Sequence, residues 1–250
     1  MTMSFIVYKN IGETTADLST RIKNQYGFKK VVICGKLDPM ARGMVRILAD
    51  DHTKLMKYNL HHSKTYKFYL VLNIKTDTDD IMGLINSVND ESYKIETVKT
   101  YLNSLLYTTE QKFHPYSAIK VRKDGQRLSL HQWAKQGLLT NDMIPSKKVT
   151  VDKIYVGDHF TIQLGEYISM IQPRLETINN GYKKAFRVDE IIKGWASLLN
   201  NDSTKSPTTV HILPLRMSVS SGYYIRMISY DLYHSLNINS HIYDIHRIYT

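Results

Sequence analysis

Asp38 is the side chain best placed to do chemistry. It lies in Cys34-Gly35-Lys36-Leu37-Asp38-Pro39-Met40-Ala41-Arg42-Gly43, directly after the apolar run Val31-Val32-Ile33. Pro39 fixes its own φ and pushes Asp38 out of the helical region, so a stiff turn presents the carboxylate. Gly35 and Gly43 allow conformations or close approaches that a side chain would block. Asp-Pro turns also serve as solvated connectors, so this loop alone does not define a site.

Other clusters carry less. His61 and His62 are adjacent and point in different directions on any regular element, which fits a solvated helix end better than a shared metal. Asp77, Asp79 and Asp80 reproduce part of a calcium-loop spacing without its remaining ligands and read as a solvated acidic loop. Cys34 has no evident partner to lower its pKa and reads as a small buried filler. Neither a phosphate-cradling Gly-x-x-x-x-Gly-Lys pattern nor a dinucleotide fingerprint after a strand occurs.

Around the loop, strands are expected over 4–9, 31–33, 44–49 and 64–74, with helices over 14–24 and 52–60. An acidic loop over 75–83 separates them from a helix over 95–106, a strand over 112–121, a turn over 122–127 and a helix over 128–136. Residues 149–156 and 160–164 suggest a hairpin around Gly157-Asp158. The stretch 166–206 differs in character, with a basic run (Lys183, Lys184, Arg187), a helical pattern over 188–199 and a polar tail. It reads as an insertion within one domain, ending in a flexible tether. Strands resume over 210–218 and 222–227, and a helix covers 228–236. Strands dominate and helices are spaced irregularly, so the expected class is α+β rather than a regular βαβ series.

The 250 residues are enough to bury a substantial core. Apolar runs such as Phe68-Tyr69-Leu70-Val71-Leu72 are too short to span a bilayer, so no membrane association is expected. A single cysteine excludes an internal disulfide framework and a Cys-based zinc site, and points to a reducing, intracellular setting. The net charge of +10 favours a polyanionic partner, because each phosphate neutralised releases counterions. A merely soluble basic protein would show the same balance.

Three segments together resemble one family. The Gly35–Gly43 loop is similar to the Gly-x-Leu-Asp-Pro-x-Ala-x-Gly loop of TruB-type tRNA pseudouridine synthases, and Lys64-Thr65-Tyr66 to their Lys-x-Tyr motif. Ser220-Ser221-Gly222-Tyr223-Tyr224-Ile225-Arg226 with Asp231-Leu232 resembles their Ser-x-Gly-x-Tyr-Ile-Arg…Asp-Leu segment. Pro115–Lys120, Thr76-Asp77-Thr78 and the tail 240–247 match in the expected order.

The resemblance implies a pseudouridine synthase fold, with a mixed, mainly antiparallel sheet, flanking helices and an RNA-binding cleft. It also implies isomerisation of uridine to pseudouridine in the tRNA T-loop (position 55), without metal or organic cofactor. By resemblance, Asp38 is the nucleophile or ribose-proton acceptor, Arg226 the cation that keeps it charged in a dry pocket, and Tyr66 the ring that stacks on the target base. Tyr224 and Ile245 match positions that contact the flipped nucleotide, Tyr224 on the strand 222–227 and Ile245 on a terminal helix. Lys9, Lys36, Lys64 and Lys120 are candidate phosphate contacts.

The pattern departs from the family at several places. Ile33 stands where relatives commonly carry a histidine, Asn10 replaces a proline after Lys9, and His114 replaces a proline before Pro115. The sequence stops shortly after the closing motif, leaving no room for the RNA-binding PUA domain that many relatives add. The basic segment 183–187 could compensate. A monomer acting on tRNA or another uridine-containing RNA, mRNA included, is expected. A non-catalytic RNA-binding or RNA-folding module that keeps the pocket is the alternative.

Overall fold

The computed structural model describes residues 3–59, 62–89, 95–200 and 208–249. Thr14 caps the first helix, α1 (Thr15–Tyr26): its hydroxyl accepts from the Asp17 backbone while the Asp17 carboxylate accepts from the Thr14 N–H. Around it come β1 (Met3–Lys9), β2 (Val31–Cys34) and β3 (Arg42–Ala49), then a 3₁₀ segment over Asp50–Asn59. The middle of the chain supplies β4 (Lys64–Leu72), β5 (Ile74–Thr76), β6 (Ile85–Val88), α2 (Ile95–Ser104) and β7 (Tyr107–Lys112). Next are β8 (Lys120–Lys123), β9 (Gln126–Ser129), α3 (Leu130–Lys135), β10 (Ser146–Val156) and β11 (Phe160–Gln163). Helices α4 (Leu164–Glu176), α5 (Asn180–Lys183) and α6 (Val188–Asn200) precede β12 (Thr209–Val219), α7 (Met227–Leu236) and β13 (Ser240–Tyr249).

The main sheet runs β1-β3-β13-β4-β12-β10-β7, with β2 on β3 and β11 on β12. All pairs in it are antiparallel except β13 with β3. Alternation along β4 sends Tyr66, Phe68 and Leu70 to one face, where they form a core with Leu18 of α1, Val98 of α2 and Ile228 of α7. Val71 faces the other way into a second core with Tyr167 and Ile171 of α4 and Trp195 of α6. The α+β class and the mainly antiparallel sheet match the expectation.

Several expected elements differ, each for a local reason. The strand expected over 112–121 is split into β7 and β8, since Pro115 offers no N–H to a ladder. The segments 149–156 and 160–164 do not form a hairpin: β10 and β11 both pair with β12. They part at Pro214, whose carbonyl accepts from Gly157 N–H at 2.8 Å and whose nitrogen has nothing to donate. Residues 222–226 are turns rather than a strand, because Gly222 takes φ +88° and α7 follows at once. The terminal segment is a strand, not a helix. Ile242 and Ile245 sit three residues apart, as on a helix face, yet a bulge at Asp244 (φ +54°) puts both in the same sheet core. Helix α6 covers the pattern expected over 188–199, α4 and α5 precede it, and the expected tether lies largely outside the described residues. None of the described helices is long and apolar enough to cross a membrane.

Candidate active site

The Asp38 loop is held from three sides. Its own turn closes with Ala41 N–H donating to Asp38 O at 3.0 Å. Lys9 is wholly buried beneath it, its ammonium donating to Ala41 O (2.6 Å), Pro39 O (3.1 Å) and Asn10 O (3.1 Å), and Gly12 N–H also donates to Pro39 O. Burial pulls the Lys9 ammonium down to about 8, with Glu13 and Asp38 opposing the fall. From the third side Arg247, also buried, donates to Gly35 O (2.9 Å) and Met44 O (2.7 Å). Gly43 (φ +120°) passes so close to β13 that a Cβ there would lie 2.1 Å from Arg247 O.

The Asp38 carboxylate is about two-fifths exposed and accepts from Arg226 Nε at 2.9 Å, although 188 residues separate them. Arg226, at the start of α7, is almost fully buried. Its other nitrogens donate to Thr78 O (2.9 Å), His114 Nδ1 (3.1 Å) and Tyr116 O (3.4 Å), so the fork is aimed by four partners. Burial disfavours its charge, but Asp38, Asp80 and Asp79 more than offset that and hold it cationic.

His114 Nδ1 also accepts from Tyr116 N–H at 3.0 Å. With that nitrogen occupied as an acceptor, Nε2 carries the proton and donates to Asp79 Oδ2 at 3.0 Å. Burial, and next the Arg226 charge, drive the imidazole down to about 4, so it is neutral at pH 7. Burial pushes the Asp79 carboxyl up, yet His114 and the Lys75 ammonium at 2.7 Å leave it below the ordinary carboxylate range. Asp80 stands 3.7 Å from Arg226 and takes hydrogen bonds from Thr78 Oγ1 (2.6 Å) and Met82 N–H (2.9 Å). Burial raises it to about 6, and the Asp38 charge adds to the rise.

Asp77–Asp80 is therefore not the solvated acidic loop that its composition predicts. Asp79 and Asp80 are buried, and Asp77 is tied to Arg187 (2.8 Å), Tyr116 Oη (3.0 Å) and Leu84 N–H (2.8 Å). Thr78 satisfies one carboxylate oxygen of Asp80 and Thr76 its backbone carbonyl, a local signal that composition hides. Of the basic run 183–187, Arg187 is thus spent on the interior of the protein.

Tyr66 is buried in the same apolar core as Ile245 and as Leu37 and Ile225, the sequence neighbours of Asp38 and Arg226. Tyr224 stacks edge-on against Phe113 at 5.6 Å, and its backbone exchanges two hydrogen bonds with the Gln111 amide. Burial raises its hydroxyl and the Asp38 charge raises it further. Of the four lysines, Lys36 and Lys120 are exposed. Lys9 is not placed to meet a phosphate: its three donor positions are used under the loop. Lys64 is also buried, lies over Gly35, donates to His62 O (2.7 Å), and is driven to about 8 by burial and by Arg247. Lys9 thus ties down the carbonyls of the Asp38 turn, while Lys64 packs against Gly35 and is anchored to His62 O. Cys34 is buried as a filler, and burial raises its thiol. His62 is exposed, as a helix end would be, and His61 lies outside the described residues.

The sheet order and the helices on its faces define an α+β fold shared with a chain of a Cbf5–Nop10–Gar1 complex, at a TM-score of 0.54 and 13% identity over 98% of this chain and 47% of that one. A chain of an H/ACA RNP bound to a substrate RNA containing 2′-deoxyuridine matches at 0.50 and 12% identity, over 98% and 46%. Within that fold, residues 23–166 match the N-terminal domain model of the TruB family pseudouridylate synthases, and the chain belongs to this family. It is 31% identical over 165 residues to tRNA pseudouridine synthase B of Clostridium perfringens, covering 66% of this chain and 53% of that protein. The enzyme of the same name from Mesoplasma florum is 34% identical over 153 residues, covering 59% and 52%. The chain thus spans about half the length of the curated relatives it matches.

Proposed function

We propose that this protein is an RNA pseudouridine synthase that isomerises the T-loop uridine of tRNA. The observation that carries the reading is the ion pair of a half-exposed Asp38, on a rigid turn, with an Arg226 buried and fixed from behind by Thr78, His114 and Tyr116. A permanent cation with its own hydration already replaced keeps a carboxylate ionised where water is scarce. Such a carboxylate can attack the ribose or take its proton while the N-glycosidic bond breaks, and it can stabilise the detached uracil's partner until the base turns and rejoins through carbon. A uridine within a folded loop reaches Asp38 only when extruded, which costs a few kcal/mol. Tyr66 is the stacking surface that offsets this cost, with Tyr224 and Ile245 closing on the nucleotide. Lys36 and Lys120 are the phosphate contacts. Helices α4–α6 are read as an insertion into a single catalytic domain, and the protein as a monomer that needs no metal or organic cofactor.

Incubation with a T-arm hairpin, followed by carbodiimide detection of pseudouridine, tests this. Wild type should convert the uridine, and Asp38→Asn should bind the hairpin without converting it. Binding without conversion by the wild type would instead establish an RNA-binding module.

A further inference from the structure

The face of the sheet opposite Tyr66 carries a second feature, unconnected with Asp38. Register places Arg42, His246, Lys67, Arg216 and Tyr155 side by side on the five adjacent strands β3, β13, β4, β12 and β10. At about 4.8 Å between strands, Arg42 to Arg216 is a row roughly 14 Å long. One step along the strands, Lys153 lies opposite Ser218 on the same face. These residues line a shallow concavity of about 910 Å³ that also includes Tyr69 and Asp244. Helices α4 and α6 cover the neighbouring part of this face, over Val71, Ile212 and Tyr243.

Such a row costs stability, since like charges directly opposite on adjacent strands repel. His246, between Arg42 and Lys67, is lowered by partial burial and by the Arg42 charge. Asp244 is the one carboxylate lining the concavity, and it is already shared by Arg42 and Arg174, each at 2.8 Å. Among the described residues Lys67, Lys153 and Arg216 have no ion-pair partner, and all three are exposed. Tyr155 at the end of the row is 68% exposed and offers an unpartnered ring. Cations in a line with an open aromatic at the end are what a nucleic-acid backbone and an unstacked base require. One strand of a duplex presents a phosphate about every 3.4 Å, so the row faces several.

We propose that this face binds the sugar–phosphate backbone of RNA outside the segment that enters the Asp38 cleft, through Lys67, Lys153 and Arg216, with Tyr155 stacking on a base. The proposal rests on the reading that the chain acts on RNA. It is tested with full-length tRNA transcript and a minimal T-arm hairpin, by fluorescence anisotropy over a salt series. The proteins are wild type and Lys67→Gln/Lys153→Gln/Arg216→Gln, each also carrying Asp38→Asn so that binding is read without conversion.

Removing one phosphate-neutralising cation lowers the salt slope by about 1, so the triple variant should lose about 3 on full-length tRNA and keep wild-type affinity for the hairpin. With Asp38 intact, its turnover of the hairpin should equal wild type. Its melting temperature should be unchanged or raised, because repulsion is relieved, whereas a structural role would lower it. Equal slopes on full-length tRNA would overturn the proposal, and so would a loss of the same size on the hairpin. Binding of polyglutamate that vanishes in the variant while tRNA binding persists would assign the face to an acidic protein instead. If wild type never converts uridine but the slope still falls, the catalytic reading fails and this one stands.

Discussion

Replacing His114 by leucine keeps the volume and removes both ring nitrogens. Three hydrogen bonds go: Nε2 to Asp79, Nδ1 from Arg226 and Nδ1 from Tyr116 N–H. The first two involve charged groups, worth about 1.5–3 kcal/mol each, and the third about 1. Asp79 keeps Lys75 and Ser229, and Arg226 keeps Asp38 and Thr78, so part of the loss is recovered. The expected destabilisation at pH 7 is about 3–5 kcal/mol.

Its pH dependence is the sharper test. Below pH 6.5 the unfolded chain takes up a proton on this imidazole that the folded protein refuses until about pH 4. Wild-type stability therefore falls through that window, by roughly 3 kcal/mol from this one group. The leucine variant has no such loss, so the gap between the two proteins should narrow to about 2 kcal/mol or less near pH 4. Asp80 and Asp231, both raised to about 6, act in the opposite sense in wild type and variant alike. The difference between the proteins is thus the diagnostic quantity, measured by urea unfolding at pH 7 and near pH 4. A gap that stays constant or widens on acidification would mean that folded His114 is protonated, and would refute the neutral imidazole on which Arg226 leans.

Three other substitutions probe the site. Arg226→Lys keeps the charge but not the fork that reaches Asp38, Thr78 and His114 together, and pseudouridine formation should fall roughly a hundredfold with RNA affinity little changed. Lys9→Met leaves three carbonyls under the Asp38 turn without their donor; urea unfolding should show a loss of about 2–4 kcal/mol, and turnover should drop with it. If Lys9 met phosphate instead, only RNA affinity would change. Gly43→Ala drives a methyl to 2.1 Å from the Arg247 backbone oxygen at a φ of +120°, and backbone cannot step aside. It should cost about 4 kcal/mol or more, near the limit for single changes, and a melting point close to wild type would contradict the packing described.

The Asp38 turn was readable because a proline and two glycines around one carboxylate leave few local conformations. Its partner was not readable from physics, since 188 residues lie between Asp38 and Arg226. Only the ordered motifs pointed to it. The acidic loop misled because aspartates in a row look solvated, while most of their partners, His114, Tyr116, Arg187 and Arg226, lie far away in the sequence. Likewise Lys9 and Lys64 looked like surface charges, because nothing local reveals that the carbonyls of Pro39 and Ala41 will meet Lys9 or that His62 O will meet Lys64 inside the protein. The tail, expected as a helix, is a strand, and the bulge at Asp244 gives Ile242 and Ile245 the spacing of a helix face.

Strand β13 follows every other described element in the chain, yet it lies between β3 and β4 rather than at an edge. Without β13, no strand pairing ties the sheet half that carries Asp38 to the half that leads to Arg226, and Gly35 lacks the Arg247 guanidinium. Deleting β13 should therefore abolish pseudouridine formation even where circular dichroism shows the remaining elements still folded.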